Sequence, residues 1–354
     1  MKMNRRELLA SVSGAAAALL GSAPRLKGAE PNGSRMGVVI HSYAIRQAAD
    51  KEKNDRFDDP LTFLEYCRTL GAGGVQIALG ARDETYSAKM RRHLETHQLF
   101  VEGSIRLPRG RDDVERFTNE VRTAKACGAA ILRTVLMGGR RYEVFASADA
   151  FRAFREQARK SLALAKPIVE RQAMRLAIEN HKDLLAAELL DVLKTVNSAF
   201  VGVCLDMGNS IALLENAEEV AAALAPHAFT THIKDMAVQE YPEGFLLSEV
   251  PLGAGFIDLP KIVRLLRKAR PDIHLNLEMI TRDPLKVPCL TDKYWATLDG
   301  VSGHRLARAL AAVRANAWKQ PLPRVSHLKR EEQLKREDDN VRACLRYARD
   351  RLAA

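Results

Sequence analysis

The sequence predicts an α/β chain folded as a closed (β/α)₈ (TIM) barrel, and three observations carry that expectation. Short apolar, β-branched runs alternate with segments of helical spacing over most of the 354 residues, the mark of βα units around a parallel sheet. Eight such runs fall between Met36 and Glu278, a span close to the ~250 residues usual for this barrel. In the second half, the runs end abruptly in polar residues. Arg175-Leu-Ala-Ile-Glu179-Asn180-His181 is the clearest case, and Val201-Gly-Val-Cys-Leu-Asp206, Phe229-Thr-Thr-His232 and Ile273-His-Leu-Asn-Leu-Glu278 repeat it. A buried parallel strand reads this way where it surfaces into a site. An open doubly wound sheet is the alternative. It would usually carry a glycine-rich phosphate loop after its first strand, and His41-Ser-Tyr-Ala is not one.

Taken in order, Met36–His41 is the first strand. Leu61, Leu64, Cys67 and Leu70 lie at helical spacing, and Gly71 ends that helix. Gly74–Ile77 is the second strand, followed by a helix over Ser87–Gln98. Leu99–Glu102 is the third, with a helix from Asp112 to Cys127 stopped by Gly128. Ala130–Arg133 is the fourth, and its helix runs from Ser147 to about Glu170. The four polar-ended strands come next, separated by helices near Leu184–Val196, Ala217–Leu224 and Pro260–Lys268. Arg305–Lys319 reads as the eighth helix. The loop from Thr281 to Trp295 is long for a βα connection, which suits a lid or specificity loop.

The ends of the chain differ from its middle. Asn4-Arg5-Arg6-Glu7-Leu8-Leu9 precedes an Ala/Leu/Gly/Ser stretch to about Ala23, so residues 1–29 read as a twin-arginine export signal and the expected location is periplasmic. Residues 36–318 form the expected catalytic barrel. Residues 319–354 read as a helical appendage, with Leu334, Val341, Leu345 and Leu352 on a thin apolar stripe. The formal net charge is +11, of which the leader supplies +4. The remainder suits an anionic ligand weakly and does not argue for nucleic acid. Five scattered cysteines form no CxxC or zinc-knuckle spacing and read as buried free thiols. No stretch is long and apolar enough to span a bilayer.

In a (β/α)₈ barrel the site lies where strands end. Glu179, Asp206, His232 and Glu278 all stand at such ends, on neighbouring strands. Three carboxylates side by side could not all stay ionised without a cation, so the expected cofactor is one divalent metal held by these four residues. The oxygen-rich set suits Mn²⁺ first, then Mg²⁺ or Co²⁺, with Zn²⁺ also in range. Singly, each has a bland reading: Asp206 as a cap for the segment at Asn209, His232 as a hydrogen-bonded core histidine. Strand alternation brings in His181, two residues past Glu179, and Lys234, two past His232. Arg133, His41, Asn209 and Trp295 are candidate substrate-binding residues, Arg133 competing with a surface structural role and Trp295 with filling the space under its loop.

The order Glu, Asp, His, Glu resembles the xylose isomerase-like sugar isomerase/epimerase superfamily. So do its settings: Ile178-Glu179-Asn180-His181, Cys204-Leu205-Asp206-Met-Gly208-Asn209, Thr231-His232-Ile-Lys234-Asp235, Leu277-Glu278-Met279, and the glycine-rich Gly253-Ala-Gly255-Phe-Ile-Asp258. The resemblance covers roughly Gly37 to Trp318. It implies a metal-dependent isomerase or epimerase in which Glu179 and Glu278 remove and return a proton beside a sugar carbonyl through an enediolate; Lys234 and His181, placed by strand alternation, are the supporting catalytic candidates. It also implies a homodimer or homotetramer. Two positions depart from the superfamily's ketose 3-epimerases: Asn209 stands where they carry histidine, and Val238 where they carry arginine. The competing readings are a keto-sugar (3-keto-glycoside) lyase or hydratase on the same metal, an abasic-site endonuclease, and a non-catalytic sugar binder. Asn209 and the leader count against the endonuclease.

Overall fold

The computed structural model describes residues 36–52, 56–298 and 300–354; the expected export leader lies outside them. β1 (Gly37–Val39) passes through a single 3-10 turn into α1 (Ala44–Glu52) and α2 (Pro60–Thr69). There follow β2 (Gly74–Ile77), α3 (Glu84–His97), β3 (Phe100–Ser104), α4 (Val114–Cys127), β4 (Ile131–Thr134), the short α5 (Arg141–Val144) and the long α6 (Ala148–Gln172). The second half holds β5 (Arg175–Glu179), α7 (Ala186–Val196), β6 (Val201–Asp206), α8 (Ala217–Leu224), β7 (Ala228–His232), β8 (Asp235–Tyr241), β9 (Gly244–Val250), α9 (Leu259–Ala269), β10 (Asn276–Leu277), β11 (Leu285–Val287), α10 (Asp292–Trp295), α11 (Gly303–Ala315) and α12 (Arg330–Arg351).

Eight of these strands form one parallel sheet in the order β10-β1-β2-β3-β4-β5-β6-β7. Parallel bridges Thr230↔His274 and Ile233↔Leu277 join its two edges, so the expected (β/α)₈ barrel is what the chain builds. Local chemistry starts the helices where it should. Asp59 accepts the N–H groups of Leu61 and Thr62, Asp83 that of Tyr86, Ser147 that of Ala150, and Asn216 those of Glu218 and Glu219; each satisfies backbone donors that a helix start leaves free. Asp83 also explains why α3 begins at Glu84 rather than Ser87. At the base of the barrel, Gly37 and Gly74 make room for Phe100, since a Cβ on either would stand 2.6 Å from its ring. All five cysteines are buried and free.

Three features differ from expectation. Of Ile273–Glu278, only Asn276–Leu277 pairs as regular strand, and Glu278 is held one residue beyond it by Glu278 N–H donating to Ile233 O at 3.0 Å. A second sheet, antiparallel in the order β11-β9-β8, stands beside the barrel. Its hairpin occupies what read as plain connection between the last two ligand strands. The loop expected to act as a lid is stitched into that sheet, because β11 pairs with β9 and Arg282 binds Glu249 of β9.

The glycine-rich segment also has a structural reason. Asp235 accepts backbone N–H groups from Met236, Gly253, Gly255 and Ile257 at 2.9–3.2 Å, and a Cβ on Gly255 would collide with that carboxylate. α12 packs through buried Val341, Cys344, Leu345 and Ala348. Its Glu337 accepts the N–H groups of Ile45 and Arg46 at the start of α1. Among the described residues no helix is long and apolar enough to cross a membrane.

Candidate metal centre

β5, β6, β7 and the end of β10 are consecutive around the barrel, and each delivers one of the expected ligands. Glu179, Asp206, His232 and Glu278 are all buried, and one ligand atom from each lies within 4.8 Å of the others. His232 Nδ1 stands 3.5 Å from Glu179 Oε2, 3.8 Å from Asp206 Oδ2 and 3.4 Å from Glu278 Oε1. Nδ1 is buried without a hydrogen-bond partner. Two ligands each about 2.1 Å from one ion stand roughly 3–4 Å apart, so the spacing suits a shared cation better than direct bonds. The donor set fits a divalent metal on that ground.

The ring of His232 is turned for this task. Its Nε2 lies 2.7 Å from Gln76 Oε1. Gln76 Nε2 donates to Glu102 Oε2 at 3.0 Å, which fixes the amide with its oxygen toward the imidazole. Nε2 must then carry a proton, so Nδ1 is the ring atom a metal would take, in place of the proton that the surrounding carboxylates favour on it. Glu102 is locked in turn by Thr230 and Asn276, which donate to Oε2, and by His274 at Oε1. Sequence reasoning missed Gln76 and Glu102. The signal was there: a polar residue amid each of two apolar strands on the face that should fill the barrel with Val, Ile and Leu.

Asp206 divides its two oxygens. Oδ1 accepts the N–H groups of Gly208 and Asn209 at 2.8 and 2.7 Å, so the capping role holds, while Oδ2 faces His232. Burial raises its pKa despite Lys234 nearby. Burial also opposes charge on Glu179 and Glu278, but the Arg133 guanidinium beside the first and the Lys234 ammonium beside the second, together with His232, hold both well below the usual carboxylate range. Arg133 Nε donates to Glu179 Oε2 at 2.7 Å. That places Arg133 inside the barrel, which corrects the surface role weighed for it.

Lys234 is buried, 2.8 Å from Asp206 Oδ2 and paired with Glu278 Oε2. Asn209 donates to Glu179 Oε1 at 2.8 Å and accepts from Lys182; sequence reasoning did not single out Lys182. Burial lowers the Lys182 pKa to about 8. Burial likewise lowers His181 to about 3, which keeps it neutral, and its Nδ1 has no partner. His41 is exposed on the 3-10 turn after β1, with Glu278, Arg133, His232 and Glu179 as charged neighbours. Asn180 takes a scaffold part: it accepts from Asp206 N and donates to Asp206 O and Ser210 Oγ, tying the ends of β5 and β6. Trp295 stays with its own loop. Its indole N–H donates to Cys289 O at 2.9 Å and its ring edges onto Tyr294, and neither contact reaches the cluster. Both contacts are those of the loop-filling role weighed for Trp295.

A parallel eight-stranded barrel with a Glu-Asp-His-Glu cluster at its strand ends defines a class of α/β barrels with a candidate metal centre. Residues 64–297 match the family model described as "Xylose isomerase-like TIM barrel", and the chain belongs to that family. It is 28% identical over 250 residues to the 3-oxo-isoapionate decarboxylase of Pectobacterium atrosepticum, covering 69% of this chain and 85% of that protein. Among solved structures, it resembles a xylose isomerase-like TIM barrel protein from Mycobacterium smegmatis in complex with magnesium (TM-score 0.50, 20% identity, 70% of this chain and 88% of that one). It also resembles the probable 3-DHS dehydratase AsbF from Bacillus anthracis (TM-score 0.53, 15% identity, 70% and 93%). At these identities the two structures speak for the fold alone.

Proposed function

We propose that this protein is a divalent-metal-dependent sugar isomerase or epimerase that works by moving a proton on the carbon next to a carbonyl. The observation that carries the reading is the convergence of four buried ligand atoms within 4.8 Å, two of them from carboxylates that neighbouring cations keep ionised. Glu179, Asp206, His232 and Glu278 would hold the ion. Bound there, a divalent metal would supply Lewis acidity to a substrate carbonyl. Mn²⁺ is the first choice for the donor set.

Glu179 and Glu278 come from the first and last of the four ligand strands, so each faces the other across the cluster. One takes the proton from carbon and the other returns one. Return to the same carbon epimerises the sugar; return to its neighbour isomerises it. Lys234, held charged by Asp206 and Glu278 against the cost of burial, steadies negative charge rather than donating a proton. Neutral His181, with its free Nδ1, suits a substrate hydroxyl. Export to the periplasm, read from the leader, goes with a substrate that is not a cytosolic sugar phosphate.

A second reading, a lyase on a keto-sugar, has specific support: the Pectobacterium atrosepticum relative is named a decarboxylase, and loss of a substituent or of carbon dioxide draws on the same carbanion. A screen of free sugars, keto-sugars and keto-glycosides in D₂O with Mn²⁺, read by proton NMR, separates the two. Deuterium at one carbon with an isomeric product supports the first reading; an unsaturated or shortened product replaces it with the second. Glu179→Gln and Glu278→Gln should each slow exchange by about 10²-fold or more. Full activity in either variant would remove that residue from the mechanism.

A further inference from the structure

We propose that a cavity beside Arg133 is a second substrate subsite, and that it takes the acidic group of an anionic sugar. This rests on the metal-centre reading above and names the substrate class for it. The cavity measures about 800 Å³ and lies across the ends of β2, β3 and β4, against one face of α6. That is within the ~300–1,000 Å³ usual for small-molecule sites. Arg133 belongs to both places: it lines the cavity and donates to the metal-centre carboxylate of Glu179. Its register partner on β3 is Ser104, another lining residue, whose buried Oγ has no hydrogen-bond partner.

Charge sets the occupant. The lining contains three arginines, Arg106, Arg109 and Arg133, and one acid, Glu120. Glu120 is taken by Arg116 at 2.9 Å, and Arg133 is taken by Glu179. The Arg106 and Arg109 guanidiniums remain exposed, with no hydrogen bond or ion pair among the described residues. Their loop is nevertheless firmly held. Arg116 donates to Arg106 O and Leu107 O, Asp113 accepts Arg109 N–H, and Gln157 donates to Arg109 O. A backbone pinned at four points that presents two unpaired guanidiniums to a cavity is built for an anion.

The test uses the full chain loaded with Mn²⁺ and isothermal titration calorimetry with matched probes: D-galacturonate against D-galactose, and D-gluconate against D-glucitol. The expected result is that at least one acid binds about tenfold or more tightly than its neutral partner, the size of a charge-assisted hydrogen bond. The Arg106→Gln/Arg109→Gln double variant should erase that margin while leaving Mn²⁺ affinity unchanged; both side chains are exposed, so folding is not at stake. No margin for either acid, a margin that survives the double variant, or equal competition by inorganic sulfate each overturns the proposal. The same titrations on metal-free chain keep the two ideas apart. A protein that fails to hold Mn²⁺ yet still prefers the acids, through Arg106 and Arg109, loses the metal reading and keeps the subsite.

Discussion

Two buried acidic regions of this protein use the same residue types in opposite ways. Under α12, Glu337 and Asp338 face donors only. The Glu337 oxygens accept the N–H groups of Ile45 and Arg46, and the Asp338 oxygens accept Tyr43, Tyr66 and Arg342. At the strand ends, Glu179, Asp206 and Glu278 instead face one another around His232 Nδ1, which has no partner of its own. Acidity is common to both regions, and so is burial for Glu337, though Asp338 is only half-buried. What marks the second as a candidate metal site is convergence on a shared centre with an unpartnered ring nitrogen aimed into it. Asp235, saturated by four backbone N–H groups, belongs with the first kind although it lies three residues from His232.

The sharpest way to break this comparison is to remove one carboxylate from each region. Mn²⁺ at a hundred times its Kd should stabilise the wild-type chain by about 2.7 kcal/mol, read as the difference between urea melts with Mn²⁺ and with EDTA. Asp206→Asn should abolish that gain, whereas Asp338→Asn should lower the baseline and leave the gain intact. An undiminished gain in Asp206→Asn would detach the ion from the cluster.

A smaller effect is expected one step out. Gln76→Leu removes the acceptor that fixes the His232 tautomer, so Mn²⁺ affinity by calorimetry should fall about 10–100-fold. Nitrogen NMR of the imidazole should show the proton no longer confined to Nε2. An unchanged ring signal would reduce Gln76 to packing.

The smallest effect belongs to α12. Burial raises the Glu337 pKa to about 7, above its unfolded value near 4.3. The folded state therefore binds the extra proton, and its contribution to stability is full below about pH 4 and lost as pH rises to 7. Glu337→Gln should flatten that decline in urea midpoints measured from pH 4.5 to 7.5. Part of the slope should remain, because burial raises Asp183 and Glu215 to about 7 as well. A variant with the full wild-type slope would show that Glu337 does not titrate in this range.

The sequence by itself determined the barrel and the four strand-end residues that cluster in it. Strand period, helix spacing and capping residues act over a few neighbours, and a strand that ends in Glu, Asp or His must deliver it to partners, because a buried charge needs one. The antiparallel β8–β9–β11 sheet stayed hidden since its partners are far apart in the chain: Leu285 pairs with Leu247. Gln76 and Glu102 stand out as polar residues in apolar strands, but what they do was illegible, because the imidazole they orient lies 156 positions from Gln76. Only the closed barrel decides which polar side chains on distant strands meet, which oxygen of Asp206 faces His232 and Lys234, and that Arg133 turns inward to Glu179.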